Sequence, residues 1–560
     1  MYYISRSFII FSTLGLLTVY LTGLFFPNLM DVDAAQYASI SLEMAKSGNY
    51  LQVFHLSGNY LDQPPLLFWF GAIFLKIFGI NHIAYRLPTF LFSLVAFYAT
   101  YALGKRLYNK NTGIISAFLI ASSQIYILHN HDIRTDTLLT NFVIIAIWQG
   151  ITYLDTEKLS NFIWTFVAIG LAMLAKGPIG AVVPVMAIGT HLLYKRDWQN
   201  IFNWRWIFGI VIVLLVLSPM LWGLYQQFDL DPTAKVNGRT GISGILFFFW
   251  EQSFETIARE NAWRDNSSYF FFTHNYLWEF LPWSLIGIAA MFTKLKSLIL
   301  DKFKFSERNE MVTMGGFIFP FLALSVSHYK LPYYIMVIMP MAAIFTAGYI
   351  DQILRSDSAK ARNIFSAIQL VFAILMGFLV LFILYFIFPA THAMWWMIPL
   401  IIFVLTLGLF TRRDRFVKLI GPSLVVAIFT NIVMNGYFYP QLNQYQAGKA
   451  LADWAIENEI SADQLVMFHK HYHTTYFYSN EINYKWVDLN ALEKKSDTLD
   501  FFVFTNDQGL KELKENEVTY KVEKRLYNFP NTELTTEFFN PITRKQALEN
   551  LYILEIEKKD

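Results

Sequence analysis

Thirteen stretches of this sequence are apolar over a length that spans, or nearly spans, a lipid bilayer, and all lie before residue 440. A span needs about 20 apolar residues. Hydrocarbon offers no partner to a free N–H or C=O, so each such stretch must close its own hydrogen bonds as a helix. The stretches fall near 8–26, 86–103, 112–128, 137–154, 162–175, 178–194, 206–224, 279–293, 311–327, 333–350, 364–388, 394–410 and 419–438. The run Pro65–Phe78 is too short to cross and reads as an interfacial or re-entrant helix. The pattern predicts an all-α polytopic membrane protein.

Composition changes at Pro440. Residues 440–560 hold 34 charged side chains in 121 residues, or 28%, with net charge −6; the first 439 residues hold 12%, with net charge +8. A soluble domain carries about 25%. We therefore expect a membrane body over 1–439 and a small α/β unit over 440–560. In that unit 447–458 reads as a helix, and 464–469, 482–487, 501–505, 520–526 and 552–556 read as strands. Helices are expected at 507–514 and 541–549. A net charge of +2 gives no reason to expect nucleic acid as a partner, and the absence of cysteine removes disulfides, zinc-thiolate sites and a thiol nucleophile. The first apolar run lacks a small-residue cleavage site before Asp31-Val32-Asp33, so we expect it to stay as an anchor.

The loops fix an orientation. If the N-terminus is cytoplasmic, alternate loops carry 20 of the 30 basic residues of the body, as the positive-inside rule requires. An odd number of spans then puts 440–560 outside the cytoplasm. Ionisable residues collect on that outer side, beside or within apolar segments. Such residues are costly in hydrocarbon and are functional candidates.

The first outer segment carries Asp31, Asp33 and Tyr37. Residues 35–46 suit an amphipathic helix lying on the membrane, with Asp33 as its N-cap. Asp31-Val32-Asp33 also has the D-x-D form of a metal–nucleotide signature, but it faces away from the side where nucleotide sugars are made. Further on come Asp62 before Pro64-Pro65, then Arg134-Thr135-Asp136, Lys176-Gly177-Pro178, and Lys330-Leu331-Pro332-Tyr333-Tyr334. The long loop 225–276 adds Glu251, Glu255, Arg259, Glu260, Arg264 and His274. Each has a plain structural reading: Arg134 with Asp136 as a local ion pair, Lys176 as a snorkelling lysine, Asp62 as a helix starter. Their shared side is what points to chemistry. Cations at headgroup depth suit a lipid-linked phosphate, and a carboxylate opposite suits a general base. Metal stays open. Asp62, His274 and His328 could converge on a divalent ion, and His469, His471 and His473 alternate near a strand end, most simply as a polar surface cluster.

These motifs, in this order, together with Leu281-Pro282-Trp283, resemble the GT-C glycosyltransferases, in particular the bacterial aminoarabinose transferases of lipid A and the protein O-mannosyltransferases. The resemblance covers most of 1–440. It implies about 13 transmembrane helices, an extracytoplasmic α/β tail, and a location in the bacterial inner membrane. It also implies transfer of a sugar from a polyprenyl-phosphate carrier to an extracytoplasmic lipid, glycan or protein, with inversion. By the same resemblance Asp33 and Asp136 are catalytic candidates. Tyr37, Asp62, Arg134, Lys176, Lys330 and Tyr333 are substrate-binding candidates, with Lys176 and Lys330 on the donor phosphate. Two positions depart from the pattern: Ala34 follows the first aspartate where an acid is common, and Gln63 precedes Pro64-Pro65 where a base is common. The rival reading is a transporter or flippase of lipid-linked sugars. It would favour internal repeats and ionisable groups within spans; no repeat is seen, and the ionisable residues lie mostly in outer loops.

Overall fold

The protein is described here from a computed structural model, which covers residues 2–255, 268–305, 310–356, 359–496, 500–530 and 534–556. It is mainly helical. The first part of the chain forms α1 (Arg6–Phe25), α2 (Asp33–Ser47), α3 (Leu66–Phe78), α4 (His82–Leu107), α5 (Lys110–Ala121), α6 (Gln124–Leu128), α7 (Thr135–Thr156), α8 (Leu159–Lys176) and α9 (Ile179–Lys195). All thirteen apolar stretches fall on helices. Among the described residues nine helices are long and apolar enough to cross a membrane. The other four stretches form the shorter helices α5, α9, Ser284–Leu300 and Val312–Val326. Polar punctuation sets these lengths. The pair Ser122-Ser123, for example, ends α5, and its hydroxyls donate to Phe118 and Ile120 carbonyls.

The bundle has inner and outer helices. α7 and the segment Pro332–Arg355 are mostly buried, whereas Trp206–Asp229 and Ala393–Phe410 turn most of their surface outward. That outward surface carries Ile207, Phe208, Leu215, Leu400 and Val404. A soluble protein would not leave so large an apolar face in water; lipid is its natural solvent.

The C-terminal region is built on a five-stranded sheet. After a small hairpin in the first long loop, β1 (Phe54–His55) and β2 (Gly58–Asn59), the strands are β3 (Leu465–Met467), β4 (Lys485–Trp486), β5 (Phe501–Asn506), β6 (Lys521–Asn528) and β7 (Glu549–Ile556). The order is β4-β3-β5-β7-β6. β3 runs parallel to β4 and β5, while β7 pairs antiparallel with β5 and β6, with Val503 opposite Leu554. Alternation sorts the side chains. Leu465, Met467, Phe504, Leu551 and Ile553 face helix Ala447–Glu457; Val466, Val503, Leu554 and Ile556 face the other side with Leu492 and Leu513. The helix expected over 541–549 is instead one 3-10 turn, Arg544–Ala547, because Glu549 already begins β7. Two helices the sequence did not suggest, His473–Tyr478 and Leu489–Ser496, pack on opposite faces of the sheet.

The first long loop also differs from expectation. Helix α2 is not a surface helix with one free face: eleven of its residues are buried. α3 covers one side and helix His473–Tyr478 of the C-terminal region packs on it too.

Candidate active site

Four loop-to-helix junctions meet at one end of the bundle. α2 begins at Asp33 itself, with Val32 as its cap. Asp33 is therefore not an N-cap; its carboxylate makes no bond to its own helix and reaches Arg134 instead. Arg134 stands just before α7 and places its guanidinium between two acids. It donates to Asp33 and, through Nε and Nη2, to Asp132 at 3.1 and 3.0 Å. The planar fork of arginine allows both contacts at once. Burial lowers the Arg134 guanidinium from its ordinary value, and the neighbouring Tyr333 and Asp136 oppose that shift.

Asp136 lies two residues further, on the first turn of α7, and its partner is not Arg134. Both its oxygens take the Lys176 ammonium at 2.5 Å. Lys176 is the last residue of α8, which runs back alongside α7. Gly177 stops that helix with φ +84, a left-handed backbone that favours glycine, and Pro178 opens α9. The Lys-Gly-Pro hairpin thus brings an ammonium to the start of the preceding helix. The local Arg134–Asp136 ion pair is replaced by two crossed pairs, Asp33–Arg134–Asp132 and Asp136–Lys176.

Aromatic rings close the cluster. Pro332 starts a 3-10 turn leading into helix Met339–Arg355. This turn sets Tyr333 under Arg134, with 4.8 Å from the guanidinium carbon to the ring, and Tyr334 under Lys176 at 4.0 Å. The Tyr333 hydroxyl donates to Asp33 at 3.3 Å. Cation–π contacts of this kind hold desolvated cations in place. His129 lies edge-on to Tyr333 at 5.8 Å, and burial lowers its imidazole from the ordinary value.

The other expected residues sit further out. Tyr37 is one turn along α2 from Asp33, buried against Phe68. Lys330 is only 4% exposed and donates to the Ser268 carbonyl, near the Tyr269 ring, instead of meeting Lys176. Asp62 is exposed and accepts from Asn237 at 2.8 Å. Gln63, where a base was expected, accepts from Thr135 at 3.3 Å and so touches the start of α7. Arg259, Glu260 and Arg264 lie outside the described residues, as does the Glu255 side chain. Among the described residues no group of three His, Asp or Glu side chains could hold a metal, so Asp62, His274 and His328 form no ligand set there. The histidine run of the C-terminal region splits: His469 pairs with Glu512 at 2.6 Å, while His471 and His473 turn to each other.

Sequence reasoning missed four contributors. Asp132 and His129 lay in the segment that held Arg134, and Tyr334 lay beside Tyr333; each is marked only by adjacency to a chosen residue. Arg86 gave no such signal. It is fully buried in α4 and donates to the carbonyls of Pro27, Asn28 and His131 at 2.6, 3.1 and 3.0 Å. One guanidinium thus ties the Asp33 loop to the Arg134 loop. Leu281-Pro282-Trp283 is a packing device: Trp283 is fully buried and donates to Ser122 at 2.9 Å.

Known proteins resemble this chain at three levels. The profile of the dolichyl-phosphate-mannose-protein mannosyltransferase family matches residues 62–222. An uncharacterised protein of Aquifex aeolicus is 26% identical over 452 residues, covering 80% of this chain and 81% of that one. The undecaprenyl phosphate-alpha-4-amino-4-deoxy-L-arabinose arabinosyl transferase of Edwardsiella ictaluri is 25% identical over 347 residues, covering 60% of this chain. The matched region spans 58% of that transferase's length. The crystal structure of ArnT from Cupriavidus metallidurans bound to undecaprenyl phosphate shares the fold, with a TM-score of 0.76 at 15% identity over 98% of each chain. The chain thus shares the fold of that ArnT structure, and over residues 62–222 its sequence is similar to the dolichyl-phosphate-mannose-protein mannosyltransferases.

Proposed function

We propose that this protein transfers a sugar from a polyprenyl-phosphate carrier to an acceptor lipid, glycan or protein on the extracytoplasmic side of a bacterial inner membrane. Residues 1–439 form the catalytic body and 440–560 an extracytoplasmic unit. The observation that carries the reading is the convergence of Asp33, Arg134, Asp136 and Lys176 from separate junctions at one end of the bundle. The charge bias of the loops supports that end being the outer one.

The geometry supports an order of events. Among these contacts three carboxylates share two cations, so an arriving phosphate must compete for a cation already paired. A donor phosphate that takes Arg134 releases Asp33 from its partner. The freed carboxylate accepts a proton from an acceptor hydroxyl, or orients an acceptor phosphate, which needs less help from a base. The acceptor oxygen attacks the anomeric carbon, the bond to the carrier phosphate breaks, and configuration inverts. Departure of the phosphate needs neutralisation of its charge more than a proton, and Arg134 and Lys176 supply that charge. An apolar cleft lined by Leu51, Tyr60, Gln63, Pro64 and Met220 lies beside the site. Burial of prenyl carbons there would contribute about 0.8 kcal/mol per CH₂. Nothing in the fold or the relatives favours the flippase reading.

The test is transfer in proteoliposomes, with polyprenyl-phosphate sugars as donors and products read by mass spectrometry. Asp33→Asn should lose transfer by about 10²- to 10⁴-fold while remaining folded. Full transfer by that variant would remove Asp33 from the mechanism.

A further inference from the structure

The first long loop is attached to the C-terminal region on both sides of Asp33. Before the helix, the Asp31 carboxylate accepts from the backbone N–H groups of His473 and Thr474, at 2.7 and 3.3 Å, and from the Thr474 hydroxyl. Two residues upstream, the Leu29 N–H donates to the Tyr478 hydroxyl at 2.7 Å. After most of the helix, Lys46 donates to the Asn480 carbonyl. A fourth link runs through the hairpin: Glu43 of α2 accepts from Leu56 and Ser57 at 2.8 and 3.0 Å, and the His55 ring lies 4.9 Å from that of His473. Most partners on the C-terminal side lie within residues 473–480; Asn443 also accepts from the Asn28 N–H, at 2.9 Å.

None of these groups is Asp33, whose own partners are Arg134 and Tyr333. Asp33 is nevertheless only two residues from Asp31, a reach of about 7 Å of chain at most. Asp31 is half-buried and takes three donors, so it is a stiff anchor. Thr474 is fully buried. On the far side of Asp33, α2 is fixed to the same helix turn by Lys46.

We propose that Asp31 and Thr474 are positioning residues: through them the C-terminal region straps the first loop down and sets Asp33 in register with Arg134. The C-terminal region then acts on catalysis without touching substrate. The catalytic half rests on the transfer activity proposed above; the mechanical half does not.

The experiment uses the full chain in nanodiscs with Thr474→Val, Thr474→Ser and Asp31→Ala. Valine keeps the volume of threonine and removes the donor; serine keeps the donor. Hydrogen exchange of residues 31–37 should quicken about tenfold or more in Thr474→Val and Asp31→Ala and return towards wild type in Thr474→Ser. Unchanged exchange in Thr474→Val overturns the strap. In transfer assays Thr474→Val should lower kcat about tenfold with donor KM within about twofold, and Thr474→Ser should restore kcat. Quickened exchange with unchanged kcat overturns the positioning role. If Thr474→Val does not fold, the same two readouts on Asp31→Asn, which keeps one acceptor oxygen, decide in its place. A wild-type chain without transfer counts against the activity and leaves the exchange result to judge the strap.

Discussion

Arg134 shows what one residue settles at this site. It joins Asp33, Asp132 and the Tyr333 ring, contacts from three different stretches of chain. A lysine has one point charge and no fork. Arg134→Lys should therefore keep the charge, lose one carboxylate, and reduce transfer about 10- to 100-fold; steady-state kinetics in proteoliposomes would show it, and wild-type rates would refute it. Asp31 gives a prediction of another kind. Burial pushes its carboxyl up to about 6 from an ordinary value of 3.8. The folded chain then binds more protons than the unfolded chain between those values. The associated stability is fully present below about 3.8 and is lost as pH rises through about 6. The loss is about 3 kcal/mol at most. Asp31→Asn should lack this pH slope in thermal unfolding; a parallel slope in both proteins would exclude it. The sequence singled out Arg134, Asp136 and Lys176 but paired the first two, because neighbours in sequence are the only neighbours it displays.

At the scale of elements, close helix approach carries the geometry. A Cβ at Gly180 would stand 2.5 Å from the Ala172 carbonyl carbon and the Met173 amide nitrogen, both backbone atoms. Gly180→Ala must push α9 off α8 and with it shift the turn that presents Lys176. It should cost about 1–3 kcal/mol and lower transfer; unaltered melting and activity would contradict the packing. Arg86 works between elements by satisfying buried carbonyls that no helix closes. Arg86→Met should lower stability by about 3 kcal/mol or more, measured by unfolding in detergent, since those carbonyls would be left without a donor. Neither device was legible beforehand. A glycine in an apolar run and an arginine at its start look ordinary until the facing backbone is known.

For the whole molecule, orientation is the first thing to test, and the chain suits it because it contains no cysteine. A single thiol placed at exposed Lys511 should react with an impermeant maleimide in intact cells, and one at exposed Arg413 should react only after the membrane is opened. The reverse pattern would invert the proposed topology. By itself the sequence determined the membrane body, the sheet-bearing C-terminal region and most of the charged residues that meet. Those follow from local quantities: apolar length, the period of two in the strands, and charge stranded beside hydrocarbon. Only the tertiary structure decided which acid faces which cation and that α2 is covered instead of lying free. It also decided that Asp31, hundreds of residues from Thr474 in the chain, is held by it. Those pairings are set by how helices pack and where the chain returns, and no local pattern encodes a contact between residues so far apart.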